Sequence, residues 1–219
     1  MTALLSTTGP SSVQFTEEML GHVTFGETEY DRGAEAGRDG AAALMFHLTI
    51  AVEDIERFAA DPRMEARADG YVRSDALGGK LPVERGVFNL FVDSGPGVKR
   101  MLYRLFFRDG VGHPLTLIGH KVVRDDPGFD VWRDTTTLFT RVLRGHVEAS
   151  EDDTAEVVAA GVLRIRIRDF AKQLTTFRAG GPDLRSKLAA VLRFGWIFMG
   201  HLAQVYVRKA TRSGGSTQD

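Results

Sequence analysis

Met101–Val142, MLYRLFFRDGVGHPLTLIGHKVVRDDPGFDVWRDTTTLFTRV, reads as consecutive long β-strands. Side chains alternate across a strand, so Met101, Tyr103, Leu105 and Phe107 share one face and Leu102, Arg104, Phe106 and Arg108 the other. Asp109-Gly110-Val111-Gly112-His113-Pro114 interrupts the run with turn chemistry. Leu115 to Val123 then resumes it in the opposite direction. A sheet rich in bulky apolar residues and poor in catalytic ones points to a container for an apolar molecule.

Working outward, bulk properties set the class. A chain of 219 residues can bury one large all-β core, or a barrel with an attached helix. Twenty-eight basic residues balance twenty-nine acidic ones, which gives no support to a nucleic-acid partner. Cysteine is absent, so disulfides, thiolate nucleophiles and cysteine-ligated metals are excluded. Met1 to Ser12 carries neither the basic start nor the apolar run of a secretory leader, and a cytoplasmic protein is expected.

Glycine is the unusual residue, with 24 copies against a typical share of about 7%. Gly70, Gly78-Gly79, Gly86, Gly110, Gly112, Gly145 and Gly161 fall between strand patterns, as a strongly curved antiparallel sheet requires. Gly119 lies inside a strand pattern and is expected to mark a bulge or a bend. Leu44 to Val52 is a strand with Leu44, Phe46, Leu48 and Ile50 on one face. Val13 to Phe25 is a strand pair or one bent strand. Further strands are expected at 66–74, 80–83, 86–93, 134–144, 157–168 and 173–178. Glycine and charge make 26–43 a long loop. A short helix is expected over 54–60, ending near Asp61-Pro62. Residues 1–13 and 209–219 read as disordered ends of a single domain spanning 14–208.

From about 182 to 208 the period becomes helical, with Leu184, Leu188, Val191, Leu192, Ile197 and Phe198 at spacings of three and four. Its uncharged run, Phe194 to Val207, is shorter than the roughly 20 residues of a membrane span and is broken by His201 and Gln204. No membrane span is expected. The helix is read as packing on the barrel, with a membrane surface or a homodimer contact as the alternatives. The fold class is therefore an antiparallel, lipocalin-like β-barrel with a C-terminal helix: all-β with a minor α component.

Catalytic signatures fail in turn. His22, His47, His113, His120, His146 and His201 show no close helical spacing of the kind that holds a metal. By parity His47 travels with Met45 and Thr49, opposite the apolar face, which places it outward or at a pocket edge. The aspartates at 125, 126, 130 and 134 do not match a calcium loop and suit turns better. No G-x-S-x-G elbow occurs. Gly95-Pro96-Gly97 lacks the third glycine and the helix start of a dinucleotide fingerprint. Arg164, Arg166 and Arg168 read as the wet side of a half-buried strand. No cofactor and no metal are expected.

The residues 44–62 (LMFHLTIAVEDIERFAADP), 78–95 (GGKLPVERGVFNLFVDSG), 100–147 and 170–182 (FAKQLTTFRAGGP) together resemble a known type of domain. It is the accessory β-domain that accompanies cholesterol-oxidase-like flavin oxidoreductases of the glucose–methanol–choline type in actinobacteria. The likeness runs from about Phe15 to Tyr206. It implies an association with bulky steroid-like or lipid-like molecules, and it transfers neither oxidase activity nor any catalytic residue.

Two functions remain. The first is a cofactor-free, pericyclase-like cyclase or isomerase of secondary metabolism that folds a polyene, polyketide, terpenoid or steroid-like substrate. Holding reacting atoms in near-attack geometry removes several kcal/mol of barrier without an acid, a base or a metal. Tyr103, Trp132, His47 and His120 would polarise or line such a pocket, with Phe107 and Phe139 on its walls. The second is a noncatalytic lipid or steroid carrier, or an accessory partner of a separate oxidoreductase.

Overall fold

The computed structural model describes residues 10–40, 42–96, 98–124, 136–165, 178–180 and 184–207. Eight strands follow one another around a closed antiparallel barrel: β1 (Ser12–Phe25), β2 (Ala43–Val52), β3 (Glu65–Ser74), β4 (Gly79–Asp93), β5 (Val98–Arg108), β6 (Pro114–Arg124), β7 (Thr137–Arg144) and β8 (Val157–Arg164). Closure depends on the length of β1. Val13–His22 pair with β2, while Leu20–Phe25 pair with β8, so one bent strand joins the first and last edges of the sheet. A short β9 (Arg178–Gly180) adds to the start of β1. Closure removes the free edges that an open sheet would expose.

The inner wall follows the alternation. Leu44, Phe46, Leu48 and Ile50 of β2 are fully buried, as are Leu105 and Phe107 of β5 and Leu117 of β6. Small residues on β3 and β8 (Ala66, Ala68, Ala159) are buried on the same inner face, and such a mixture of large and small side chains fills a tapering barrel. Residues 80–83 and 86–93, expected as separate strands, form one continuous β4. Its register slips between Val83 and Arg85 and again between Asn89 and Val92. Such bulges bend a strand without ending it. β1 starts at Ser12, and Val13 is already buried between β2 and β9, so order begins inside the expected 1–13 tail.

Two expectations about glycine are corrected. Gly119 marks no bulge, because β5 and β6 stay in register through it. A Cβ there would lie 3.0 Å from the Leu138 side chain, so the glycine makes room for Leu138 on the inner wall. The stretch 26–43 is not a loop throughout: it holds helix α1 (Tyr30–Asp39). Glycine costs about 1 kcal/mol in a helix, which is why the composition pointed to a loop. Here Gly33 and Gly37 are one turn apart and face the barrel. A Cβ on Gly33 would sit 2.0 Å from the Ala160 carbonyl oxygen, and one on Gly37 2.3 Å from that of Val23. Their bare backbone lets α1 lie directly on β1 and β8, and Thr24 Oγ1 donates to the Gly33 carbonyl at 2.8 Å. Packing overrides propensity.

Helix α2 (Ile55–Ala60) starts where Asp54 accepts the amides of Glu56 and Arg57 at 3.0 and 3.1 Å. Helix α3 spans Leu184–Val207. Ala190, Phe194 and Ile197 of α3 are buried with Ile55 and Phe58 of α2 at the end of the barrel where β1 begins. Phe194 lies 5.7 Å from Phe15 and 6.2 Å from Phe58, ring centre to ring centre. The opposite face of α3 leaves Leu188, Leu192 and Trp196 exposed, at 59%, 64% and 73%. Among the described residues no helix is long and apolar enough to cross a membrane. At the other end of the barrel, the β3–β4 and β5–β6 turns meet, with Gly110 N donating to Leu77 O at 2.8 Å. Asp109 organises its turn by accepting the amides of Val111 and His113. All of the expected strand 173–178 but Arg178, the aspartates at 125–134, and both termini (1–9 and 208–219) lie outside the described residues.

Candidate functional site

Three polar side chains meet inside the apolar barrel. Glu17 comes from β1, Tyr103 from β5 and Lys121 from β6, and they are 4%, 3% and 3% exposed. Strands β1 and β5 are four apart in an eight-stranded ring, so the cluster spans the lumen instead of lining one wall. The Tyr103 hydroxyl donates to Glu17 Oε2 at 2.7 Å, and Lys121 Nζ donates to Glu17 Oε1. The ammonium also sits 5.1 Å from the centre of the Tyr103 ring. Each carboxylate oxygen thus has its own donor, which a buried charge requires. Burial above all, then the Glu17 charge and its hydrogen bond, raises the Tyr103 hydroxyl well above the ordinary tyrosine pKa. Tyr103 therefore stays protonated and donating.

The surroundings are aromatic. The Tyr103 ring lies 4.9 Å from Phe88 and 5.7 Å from Phe46, and Phe88 lies 6.5 Å from Phe15 at the helix-covered end. Across β1–β2, Leu48 stands opposite Glu17. An ammonium, a carboxylate and a phenol in such a setting can bind one polar atom of an otherwise apolar molecule. They can also hold or move a proton there.

The expected site residues divide between two faces. Tyr103 and Phe107 point inward, with Phe107 fully buried. His47, His120 and Phe139 point outward, because antiparallel partners share a face and His120 pairs with Phe139. His47 Nδ1 is 3.1 Å from Glu18 Oε2, and its ring stacks on Tyr71 at 5.4 Å. His120 stacks on Phe139 at 5.4 Å and meets the edge of Tyr30 from α1 at 5.5 Å. Burial, with Arg100 and Arg141 nearby, lowers its pKa to about 4, so it is neutral at pH 7. Tyr30, His120, Leu102, Phe106 and Arg100 border an outer groove of about 440 Å³. Trp132 lies outside the described residues. The histidines therefore do not share the lumen with Tyr103 and Phe107.

Glu17 and Lys121 were missed by reading residue types alone, although their positions carry a signal. Glu17 occupies the apolar parity of Val13, Phe15 and Met19, and Lys121 that of Leu115, Leu117 and Val123. A charged residue on the core face of a strand is the informative exception. Among the described residues no group of three or more histidines and acids could hold a metal ion. Comparison with protein-family models, with curated proteins and with solved structures gives no match to this chain, so the reading of the site rests on its geometry.

Proposed function

We propose that the barrel encloses one bulky apolar molecule, polyketide-, terpenoid- or steroid-like, and promotes its cyclisation or isomerisation with the lumen's own side chains. One observation carries this reading: a charged pair and a phenol cross a lumen whose other walls are mostly apolar side chains. Burying an ion pair costs several kcal/mol per ion in desolvation, and apolar residues of similar volume often stabilise a core as well or better. Charges kept in such a place are candidates for function. An eight-stranded barrel is of a size to hold one small ligand. Confinement would supply most of the rate, while Lys121 stabilises negative charge developing on a substrate oxygen.

A noncatalytic reading has one feature in its favour. The donors and acceptors of the triad are matched within the protein, as a carrier needs when it waits empty. In that reading the protein holds a lipid or steroid, or serves a separate oxidoreductase as an accessory. The same experiment separates the two. Mass spectrometry of solvent extracts from the purified protein recovers an apolar molecule. Returned to fresh protein, a substrate emerges as an isomer of equal mass and altered retention time, and Lys121→Met abolishes the conversion. Recovery unchanged identifies a carrier. Extracts with no apolar molecule, together with no saturable binding of the neutral fluorophore N-phenyl-1-naphthylamine, overturn the enclosure itself.

A further inference from the structure

Among the described residues Lys121 is the one buried lysine; Lys80, Lys99 and Lys187 reach solvent. Among the described residues most of the other ion pairs are built from arginine, including Arg104–Asp152 at 2.5 Å and Arg144–Glu156 at 2.7 Å. A permanent cation for holding an oxygen would be served as well by arginine, which stays charged and binds in fixed geometry. Lysine differs in one chemical respect: its amine can lose a proton and become a nucleophile, most readily when desolvated. Lys121 has what such a nucleophile needs. Glu17 is bonded directly to Nζ and can take its proton, while Tyr103 holds the other carboxylate oxygen in place.

The geometry points to Lys121 as an amine that captures the carbonyl group of an apolar aldehyde or ketone as a protonated Schiff base, with Glu17 as its counter-ion. This inference rests on the enclosure proposed above and names the chemical class of the enclosed molecule. The Lys121 ammonium passes one proton to the Glu17 carboxylate. The amine lone pair attacks the carbonyl carbon, the C=O π pair moves onto oxygen, and that oxygen takes a proton from nitrogen to give a carbinolamine. The Glu17 carboxyl then returns its proton to the hydroxyl, which leaves as water while the nitrogen lone pair forms the C=N bond. An ammonium, a carboxylate and a carbonyl thus become an iminium, a carboxylate and one water. One positive and one negative charge face each other before and after, so the apolar lumen bears no new net charge.

The test uses the full chain with all-trans-retinal as the probe aldehyde and all-trans-retinol as its non-carbonyl control. Both bind saturably, and retinal alone develops a red-shifted absorbance. Borohydride then fixes a mass gain equal to the probe less one oxygen atom, which peptide mapping places on Lys121. Lys121→Arg keeps the charge and loses the adduct at least tenfold. Glu17→Gln keeps binding and loses the red-shifted band at neutral pH. The mapping needs no variant, so a variant that fails to fold leaves it intact. Labelling confined to lysines other than Lys121 overturns the proposal. Equal binding of retinal and retinol without an adduct overturns it too and leaves the enclosure standing, whereas binding of neither overturns both.

Discussion

His120 and Lys121 are neighbours on β6, and the strand sends them to opposite worlds. His120 faces outward into a Tyr30–Phe139 stack beside water, where it is neutral. Lys121 faces inward, 3% exposed, and meets a carboxylate from the far side of the barrel. By residue type the histidine is the more obvious candidate for chemistry. By position the lysine is, because a charge persists in an apolar lumen only when it is matched. The setting of a residue outweighs its reputation.

The largest test breaks the inner site. Glu17→Met leaves the Lys121 charge and the Tyr103 hydroxyl stranded, and removing one partner of a buried pair costs about 3–5 kcal/mol. The triple variant Glu17→Met, Lys121→Met, Tyr103→Phe should recover most of that loss, because no polar group is left unmatched. Urea unfolding of the two variants beside the wild type checks both. An equal loss in the triple variant would show that the triad serves packing and not charge matching. On the outer surface the expectation reverses: Asp69→Ala, which removes the exposed Arg67–Asp69 pair, should cost less than about 1 kcal/mol in the same measurement.

Next comes the layer between α1 and the barrel. Gly33→Ala pushes a methyl group against the Ala160 carbonyl and should destabilise by about 2 kcal/mol, the scale of overpacking. Since α1 carries Tyr30, the same variant should loosen the ring stack on His120, visible as a shift of its imidazole proton resonances. Unmoved resonances would show that the outer stack does not depend on the seat of α1.

A smaller effect distinguishes the faces by pH. The unfolded chain protonates His120 near the ordinary histidine value of 6.5, the folded one only at about 4. Between those values the unfolded state binds more protons, so the stability contributed by neutral His120 is whole above pH 6.5 and lost as pH falls towards 4. His120→Phe keeps a ring for the stack and should remove this part of the pH dependence. The thermal midpoint of the wild type should fall relative to that of the variant as pH drops through that window, and parallel curves would refute the assignment.

The least effect on stability, within about 0.5 kcal/mol, is expected from Leu192→Glu on the exposed stripe of α3. If a homodimer, one of the alternatives weighed for this helix from the sequence, seats on that stripe, the variant should elute as a smaller species in size-exclusion chromatography while unfolding as before. An unchanged elution volume removes the stripe from any dimer contact.

Much of the barrel could be read residue by residue. The inward parity of Met101, Tyr103, Leu105 and Phe107, the Asp109–Pro114 turn and the Asp54 cap all follow from neighbours a few positions away. The outward turn of His47 follows from the same alternation. Helix α1 escaped because glycine speaks against a helix until a strand lies close enough to need its bare backbone. Gly119 misled for a related reason: the side chain it makes room for, Leu138, is on another strand.

The site shows where local information stops. The order of polar and apolar residues along each strand fixed which face Glu17, Tyr103 and Lys121 occupy. Their meeting was decided by closure, because β1 must pair with both β2 and β8 before its Glu17 can reach across the lumen. Tyr103 and Lys121 lie 86 and 104 residues from Glu17 along the chain. Alternation is a property of each strand, whereas the matching of one carboxylate with two donors belongs only to the closed barrel.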